Sequence, residues 1–366
     1  MAFIPGIELA RLFYREAVRP ILESDFPNLI YSAALLGSGS EVLGFDTEMS
    51  TDHSWGPRLF LFLQESDHET LEEAIRLALG YQLPLDFRGF YTHYETLPEE
   101  PNSHIPGPTD ERPIHHRVVI TTLSHFLESY TGSALDKEIT LLDWLLIPEQ
   151  KLRTLVAGGL FHDGLGTVEP LRQQLAWYPH DVWLYLLSAQ WQRIGQEEPF
   201  VGRTGIVGDE TGSAVLASRL VRDLMRLCLL LERQYAPYPK WFGTGFSRLA
   251  CAPALTPIFT AVHRATNWQE RESHLITAYE YVAEMHNRLR ITPPIQNKVS
   301  YFHNRPFQVI DGGTAAEITW QSIQDTAVRT LPFGLGKVDQ YVDSTDILSN
   351  TARCRALENL YRSVAK

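Results

Sequence analysis

The stretch Leu36-Gly37-Ser38-Gly39-Ser40, followed after a gap by Thr51-Asp52-His53-Ser54, decides which fold this chain suggests. Apolar residues 30–36 lead into it, and the run Arg58-Leu-Phe-Leu-Phe-Leu63 leads out of it. The pattern predicts a strand, a Gly/Ser turn, an acidic loop and a second strand. Because glycine has no Cβ, backbone N–H groups in such a turn can come close to an anion.

The composition is that of an ordinary soluble globular protein, with 44% hydrophobic and 21% charged residues. Its 366 residues can bury one large core or two moderate ones. The net charge of -12 argues against a dedicated nucleic-acid binder, because contact with a phosphate backbone needs a basic face. Cys228, Cys251 and Cys354 show no CxxC or zinc spacing and are expected to be core thiols.

The hydropathy pattern predicts a cytoplasmic protein without a membrane partner. The first 20 residues carry charges every few positions and have no long apolar run, unlike a signal peptide. No window of about 18 residues is continuously apolar, so no membrane span is expected.

Residue periodicity changes near residue 135 and predicts an α+β fold with a mixed sheet first and helices afterwards. Before that point the pattern predicts helices at 6–23 and 68–79, strands at 30–36, 58–64 and 117–123, and a loop at 97–113. Beyond it, strand signals are almost absent and helices are predicted at 141–147, 150–157, 168–177, 181–196, 210–234, 240–249, 252–263 and 267–289. The expected organisation is an α/β domain (1–135), a helical domain (136–300) and a C-terminal segment (301–366) that packs back on the core.

Acidic side chains concentrate in the loop between the first two predicted strands, at Asp46, Glu48 and Asp52. Carboxylates this close repel one another unless a cation or an arginine offsets them. The loop is therefore interpreted either as a solvated surface or as a metal or substrate site, and the preceding Gly/Ser turn favours the second.

The predicted helix at 210–234 places Arg219, Arg222, Arg226 and Arg233 on one face and leucines on the other. This stripe is either a salt-bridged helix face or a wall that binds anions through guanidinium groups. Glu232 projects from the apolar side, so it is either paired for structural reasons or a general base with a raised pKa.

Two turns carry further candidate residues. The aromatic, proline-rich turn at 235–243 presents Lys240, which either contacts a ligand or only extends its charge to solvent. His162 and Asp163 lie in a polar turn, which indicates a helix cap more often than a pair of metal ligands.

The chain resembles the family called domain of unknown function 4037, whose members are regarded as nucleotidyltransferase-like and are placed in the polymerase-β-like superfamily. The resemblance covers nearly the whole length. The segments that carry it are GSGSEVLGFD (Gly37–Asp46), STDHSWGPR (Ser50–Arg58), FHDGLG (Phe161–Gly166), WYPHDVW (Trp177–Trp183), GRTGIVGDE (Gly202–Glu210), SRLVRDLMRLCLLLERQYAPYPKW (Ser218–Trp241), RPFQVI (Arg305–Ile310) and DQYVDSTDIL (Asp339–Leu348).

The resemblance implies a nucleotidyltransferase-like mixed sheet followed by an all-helical domain, and it implies Mg²⁺ and an NTP as cofactor and substrate. Members of the superfamily follow the Gly-Ser pair with Asp-x-Asp and add a third acid from a neighbouring strand. Here Asp52 fits the first acid, Ser54 stands at the second, and the strand at 117–123 offers Thr121 and Thr122.

Two functions follow from this comparison. In the first, the protein transfers a nucleotidyl group from an NTP to a small-molecule or protein acceptor. The residues proposed for it are Gly37, Ser38, Gly39, Ser40, Arg219, Arg222, Arg226 and Lys240 as nucleotide-binding, Asp52 and Glu48 as metal-binding, and Asp52, His53 and Glu232 as catalytic. In the second, the fold has lost metal catalysis and either binds an anionic small molecule or runs a biosynthetic acid/base condensation or cyclisation.

Overall fold

The structure is a computed structural model that describes residues 3–52, 55–97 and 100–362; of residues 52, 96, 97 and 100–103 only the backbone is described. The chain forms two compact units. Unit 1 contains the residues up to Ile139 together with Lys151–Ala176, and unit 2 contains Thr140–Gln150 together with the chain from Trp177 onward. The predicted domain boundaries at residues 135 and 300 say which parts of the chain fold independently. Independent folding is a different property from this division into two units, so the boundaries stay a prediction.

Helices dominate the described residues, and most strands are short. The strands are β1 (Tyr31–Leu35), β2 (Arg58–Leu63), β3 (Asp86–Phe87), β4 (Phe90–Tyr91), β5 (Tyr94–Leu97), β6 (Glu100–Pro106), β7 (Arg117–Thr122), β8 (Gly159–Asp163), β9 (Ser300–Tyr301) and β10 (Gln308–Val309). The helices are α1 (Gly6–Phe13), α2 (Arg19–Asp25), α3 (Glu65–Gln82), α4 (Leu123–Thr131), α5 (Leu141–Leu146), α6 (Glu149–Val156), α7 (Val168–Gln174), α8 (His180–Glu197), α9 (Phe200–Ile206), α10 (Glu210–Leu231), α11 (Pro239–Ser247), α12 (Ala252–Arg264), α13 (Trp268–Leu289), α14 (Gly312–Gln321), α15 (Thr326–Arg329), α16 (Val338–Tyr341), α17 (Thr345–Leu348) and α18 (Thr351–Arg355). A π-helical turn at Tyr14–Val18 joins α1 to α2, and 3-10 helices span Glu48–Asp52 and Ala356–Tyr361.

Unit 1 is built on a four-stranded sheet with the strand order β7-β2-β1-β8. β1 runs antiparallel to both β2 and β8, whereas β2 and β7 run parallel. As a result, β1 ends at the same edge of the sheet at which β2, β7 and β8 begin. We call this the turn edge, because the Gly37–Ser40 turn leaves β1 there.

The alternation of side chains along β2 explains how helices cover this sheet. Leu61 is completely buried in a core that also contains Leu9 from α1 and Leu79 from α3. Phe60 and Phe62 point to the opposite face, where their rings stack with centroids 5.8 Å apart. A strand with apolar residues on both faces is typical of a sheet that is covered on both sides.

Most of the regular elements agree with the sequence-based expectations. The strands predicted at 30–36, 58–64 and 117–123 are confirmed as β1, β2 and β7. The eight helices predicted after residue 140 are also present, with ends shifted by a few residues, as α5–α8 and α10–α13. The chain is therefore mixed α/β with a helical C-terminal part.

Two strand assignments were wrong. The predicted loop at 97–113 contains β6, which pairs with β5 in an antiparallel hairpin, so cross-strand hydrogen bonds outweigh the low strand propensity of its Pro and Asn residues. The segment after 135 contains β8, which is an edge strand of the main sheet. Its residues are too few and too evenly half-buried to show a period of two.

Unit 2 holds the C-terminal residues against its long helices. α14 packs on α8, and the Ser188 hydroxyl donates to the carbonyl of Ala316 at 2.8 Å. The two backbones approach so closely that a Cβ on Gly312 would lie 2.7 Å from the backbone nitrogen of Gly195. Within the described residues, no helix has both the length and the apolarity needed to cross a membrane.

Candidate functional site

The Gly37–Ser40 turn has a shape that only glycine permits at two positions. Gly37 has φ 78° and Gly39 has φ 140°, which is backbone that residues with a Cβ rarely adopt. A Cβ on Gly39 would also collide with the side chains of Arg58 and Glu41. The Gly37 N–H donates to the carbonyl of Thr154 on α6 at 3.3 Å, so the turn is held from behind.

Arg58, the first residue of β2, fastens the turn to the sheet. Its Nε donates to Oε1 of Glu41 at 2.8 Å, and its Nη2 donates to the carbonyl of Ser38 at 2.5 Å. Arg58 is 7% exposed and Glu41 is 3% exposed, so this is a buried ion pair. Loss of either partner would leave an uncompensated buried charge.

Arg117 lies beside Arg58 at the turn edge, because it is the first residue of β7 and the register partner of Arg58. Its guanidinium lies over the ring of Tyr94, 5.5 Å from the ring centroid. Burial, and then the charge of Arg58, lower the pKa of Arg117 to about 10. His104 of β6 is close enough to feel both arginines, since burial first and then Arg117 and Arg58 lower its pKa. The lowered pKa favours the neutral imidazole.

Helix α6 adds two basic residues behind the turn. The Nζ of Lys151 donates to the carbonyl of Tyr130 at 2.6 Å and lies 4.7 Å from the centroid of that ring. Arg153 lies over the ring of Phe45, 5.6 Å from its centroid. The hydroxyl groups of Tyr130 and Thr154 are 2.7 Å apart. Unit 1 thus gathers four basic side chains around one short turn, although the chain as a whole has a net charge of -12.

The acidic loop joins the Gly37–Ser40 turn to β2, and two of its three acids, Asp46 and Glu48, have described side chains. Oδ2 of Asp46 accepts from the N–H of Gly6 at 2.7 Å and from Nε1 of Trp55 at 3.1 Å, so it caps α1. Glu48 is exposed at the start of a 3-10 helix. Asp52 ends that helix, but its side chain lies outside the described ones, and His53 lies outside the described residues altogether.

The carboxylates described at the turn edge do not fit the Mg²⁺ ion that the resemblance implies. Glu41 is held by Arg58, and Asp46 is held by backbone and indole N–H groups. In the part of the chain that the structure describes, no three His, Cys, Asp or Glu side chains are grouped so that they could hold a metal ion. Glu48 and Asp52 stay predicted metal ligands.

The expected location of a third acid on the neighbouring strand needs a correction. Thr121 and Thr122 pair with Phe62 and Leu63, so they lie at the far end of β7, away from the turn edge. Thr121 lies four positions along the strand from Arg117, which is about 13 Å, and Thr122 lies one position further. The physical reason is that parallel strands begin at the same edge of a sheet, so the start of β7 lies beside the turn and its end does not. The β7 residue beside the turn is Arg117.

Three of the four arginines that were predicted to form a stripe in unit 2 are paired with carboxylates. Arg219 donates through Nε to Oε2 of Glu197 at 2.9 Å, and Nη1 of Arg222 donates to Asp343 at 3.2 Å. Arg226 is buried, unlike the other two. Arg233 lies beyond the end of α10, and its guanidinium stacks over Trp183 at 4.5 Å.

Glu232 and Lys240 lie near the two ends of the turn that follows α10. The oxygens of Glu232 accept from the backbone N–H groups of Ala250 at 2.7 Å and Cys251 at 2.8 Å, just before α12. Lys240 is exposed, with its Nζ 5.1 Å from the centroid of the Trp241 ring. The structure therefore brings together the Gly37–Ser40 turn with Arg58 and Arg117, whereas Glu232 and Lys240 belong to unit 2.

The His162–Asp163 turn has a structural explanation. Oδ1 of Asp163 accepts from the hydroxyl of Ser32 at 2.6 Å, and Oδ2 accepts from the N–H of Glu169 at 3.0 Å. These hydrogen bonds join β8, β1 and the start of α7. These contacts correspond to the interpretation of the turn as a helix cap.

Comparison with known proteins gave one finding. Residues 144–242 match the model of the family described as Domain of unknown function (DUF4037). The match supports the resemblance to that family over this part of the chain. Neither the curated proteins nor the solved structures contained a match.

The matched segment contains most of a buried charged network in unit 2. Glu149 accepts from Nη1 of Arg226 at 2.9 Å and from the hydroxyl of Tyr178 at 3.1 Å. Outside the matched segment, Lys337 donates to the Tyr178 hydroxyl at 2.8 Å and lies 3.6 Å from Asp339. Burial raises the pKa of Glu149 and lowers that of Lys337, so the network depends on its internal pairing.

Proposed function

We propose that the protein is a nucleotidyltransferase-like enzyme that binds the phosphates of an NTP at the turn edge of unit 1. The acceptor is a small molecule or a protein side chain. The observation that carries the proposal is the Gly37–Ser40 turn, to which Arg58 donates a hydrogen bond and beside which Arg117 lies. Backbone N–H groups next to guanidinium groups suit the oxygens of a phosphate chain.

The order of elements supports the same proposal. β1 is followed by the Gly/Ser turn, the acidic loop that contains Asp52, and β2. This is the order that the nucleotidyltransferase-like resemblance implies. The family match at residues 144–242 is consistent with that resemblance but names no activity.

The proposed reaction is a displacement at phosphorus. A hydroxyl oxygen of the acceptor attacks the α-phosphorus of the NTP, and the bond from that phosphorus to the oxygen bridging the α- and β-phosphates breaks. Pyrophosphate leaves, and the hydroxyl proton passes to a base, for which Asp52 is the candidate. Fixed positive charge at the turn edge would stabilise the charge that develops on the phosphate oxygens.

Calorimetric titration with ATP, GTP, CTP and UTP tests the binding step. At 100 to 1,000 times its Kd, a bound nucleotide should raise the free energy of unfolding by roughly 2–4 kcal/mol. Pyrophosphate release in the presence of pooled acceptors then tests the chemistry. If no NTP binds under any condition, the proposal fails.

A second function is favoured by the positions of Arg117 and Ser54. An arginine begins the strand that neighbours β2, and a serine stands where the family pattern has its second acid. In this alternative the turn edge holds an anionic small molecule, and the protein either binds it only or runs acid/base chemistry on it. NTP binding without pyrophosphate release in any acceptor pool would favour this alternative.

A further inference from the structure

A cavity of about 510 Å³ lies at the edge of the main sheet opposite the turn edge. Leu63 at the end of β2 and Thr122 at the end of β7 both line it. β8 runs in the same direction as these two strands, and residues 165–167, which follow it, form another part of the wall. We call this edge the far edge. The described residues that line the cavity all belong to unit 1.

The position and the size of this cavity are those of a ligand site. β2 and β7 are neighbouring parallel strands, and both end at the far edge. In α/β sheets, ligands bind in the crevice outside the carboxyl ends of such strands. The volume also lies within the range of about 300–1,000 Å³ that is typical of small-molecule sites.

The inner wall of the cavity is apolar. Leu63 and Leu135 are each 2% exposed, and Leu123 and Leu171 are each 8% exposed. Thr122 is also buried, and its hydroxyl accepts from the N–H of His125 at 3.1 Å. Hydrocarbon surface that a ligand buries against these side chains favours binding. The wall therefore suits a ligand with an apolar part.

The outer wall of the cavity is polar and acidic. Gln64, Glu65, Asp136 and Thr167 line it and are exposed to solvent. The hydroxyl of Ser124 donates to Oδ2 of Asp136 at 2.7 Å, which fixes the orientation of that carboxylate. Among the described residues that line the cavity, two are acidic and none is Lys, Arg or His. The lining therefore carries net negative charge.

The start of α3 does not make the far edge a site for anions. A helix N-terminus carries partial positive charge, but the first turn of α3 contains Glu65 and Asp67, whose carboxylates offset it. An anionic ligand in the cavity would be repelled by Glu65 and Asp136. An ammonium group, in contrast, would be attracted to both.

We propose that the far edge of unit 1 binds a small organic cation, namely an ammonium compound with an apolar part. The apolar part packs on the leucines, and the ammonium group contacts Glu65 and Asp136. The site is separate from the turn edge, because β2 (Arg58–Leu63) spans the sheet from one edge to the other, a distance of about 17 Å. The inference does not rest on the proposed function.

Three probes that differ only in their end group test the inference on the intact chain: phenylbutylamine, phenylbutanol and phenylbutyrate. Each is titrated into isotope-labelled protein, and the amide NMR signals are followed. We expect the amine to bind at least about threefold more tightly than the other two, because exposed ion pairs contribute modestly. Its binding should shift the amide signals of residues 63–65 and 122–124.

A double variant tests the role of the two carboxylates. Glu65→Gln combined with Asp136→Asn should remove the preference for phenylbutylamine and leave the binding of phenylbutanol unchanged. The control combines Glu69→Gln with Glu138→Gln, which removes the same number of charges from exposed acids of the same two segments. Glu69 and Glu138 do not line the cavity, so this control should keep the preference.

The other outcomes would overturn the inference. Equal binding of the three probes, or tightest binding of phenylbutyrate, would contradict a site for cations. Amide shifts confined to other parts of the chain, or no binding of the amine up to about 10 mM, would contradict a ligand site at the far edge. A preference for the amine that survives in the double variant would remove the two carboxylates from the site. The comparison of the three probes uses the unmodified chain, so it decides the question even if the double variant does not fold.

Discussion

Nε of Arg58 donates to Oε1 of Glu41 at 2.8 Å, and both side chains are buried beside the Gly37–Ser40 turn. The pair joins the start of β2 to the segment that follows the turn. A buried ion pair of this kind is a weak source of stability as long as it is intact. Its disruption is costly, because one charge stays behind without compensation.

Glu41→Ala should therefore destabilise the protein strongly. We expect a loss of about 3–5 kcal/mol in the free energy of unfolding, measured by urea titration. Glu73→Ala removes the partner of Arg76 from an exposed pair and should cost less than about 1 kcal/mol. Equal and small losses in the two variants would show that the buried pair does not hold the turn.

Asp52→Ala should abolish transfer activity while the fold survives. Replacement of a loop carboxylate typically changes the free energy of unfolding by no more than about 0.5 kcal/mol, whereas a catalytic or metal-binding group matters far more for the rate. Met49→Ala provides the control, because Met49 lies in the same 3-10 helix and is 87% exposed. Full activity in Asp52→Ala, once an assay exists, would exclude this loop as the catalytic site.

Ser54→Asp should strengthen the binding of ATP together with Mg²⁺. A second carboxylate two residues after Asp52 would create the Asp-x-Asp pair that the nucleotidyltransferase-like resemblance implies. Calorimetry with ATP should then show tighter binding in Mg²⁺ than in EDTA for Ser54→Asp, and Mg²⁺ without nucleotide should bind weakly or not at all. If ATP binds Ser54→Asp equally in both buffers, the loop does not place its acids near the phosphates.

His286 should make the protein sensitive to acid. It is 1% exposed, Nε1 of Trp191 donates to its Nδ1 at 3.2 Å, and burial lowers its pKa to about 4. In the unfolded chain histidine titrates near pH 6.5, so between these values the unfolded state binds more protons. The free energy of unfolding should therefore fall as the pH drops through this window, by roughly 3 kcal/mol.

The contribution of this histidine is isolated by comparing variants across pH 4–7. His286→Gln should show a shallower fall of the free energy of unfolding with acidification than the unmodified chain. His125→Gln, at an exposed position on α4, should keep the original slope. Identical slopes in all three proteins would contradict the neutral, buried state of His286.

Substitutions in the arginine stripe of α10 should differ in their effect on the free energy of unfolding, because some of these arginines are structural and others are dispensable. Arg226→Gln leaves Glu149 buried with one partner fewer and should cost about 3–5 kcal/mol in the free energy of unfolding. Arg219→Gln breaks an exposed pair with Glu197 and should cost less than about 1 kcal/mol. Loss of NTP binding in Arg219→Gln without loss of stability would instead support the predicted anion-binding wall.

The sequence allowed the main strands to be predicted because their residues alternate or run apolar within short windows. It did not reveal β8, whose five residues form an edge strand only because β1 is there to pair with them. The proximity of the two basic residues at the turn edge was not predicted, for a related reason. Arg58 and Arg117 are far apart along the chain, and only the parallel register of β2 and β7 makes them neighbours. An arginine as the first residue of the predicted strands at 58–64 and 117–123 was the available signal.

The fastening of the Gly37–Ser40 turn has a consequence for the thermodynamics of binding. The turn is held by the carbonyl of Thr154 on one side and by the guanidinium of Arg58 on the other. The entropy lost in ordering this backbone is therefore lost when the protein folds, and it does not count against the ligand. A phosphate chain that binds such a preorganised turn loses mainly its own entropy. This favours tight binding by a small contact area.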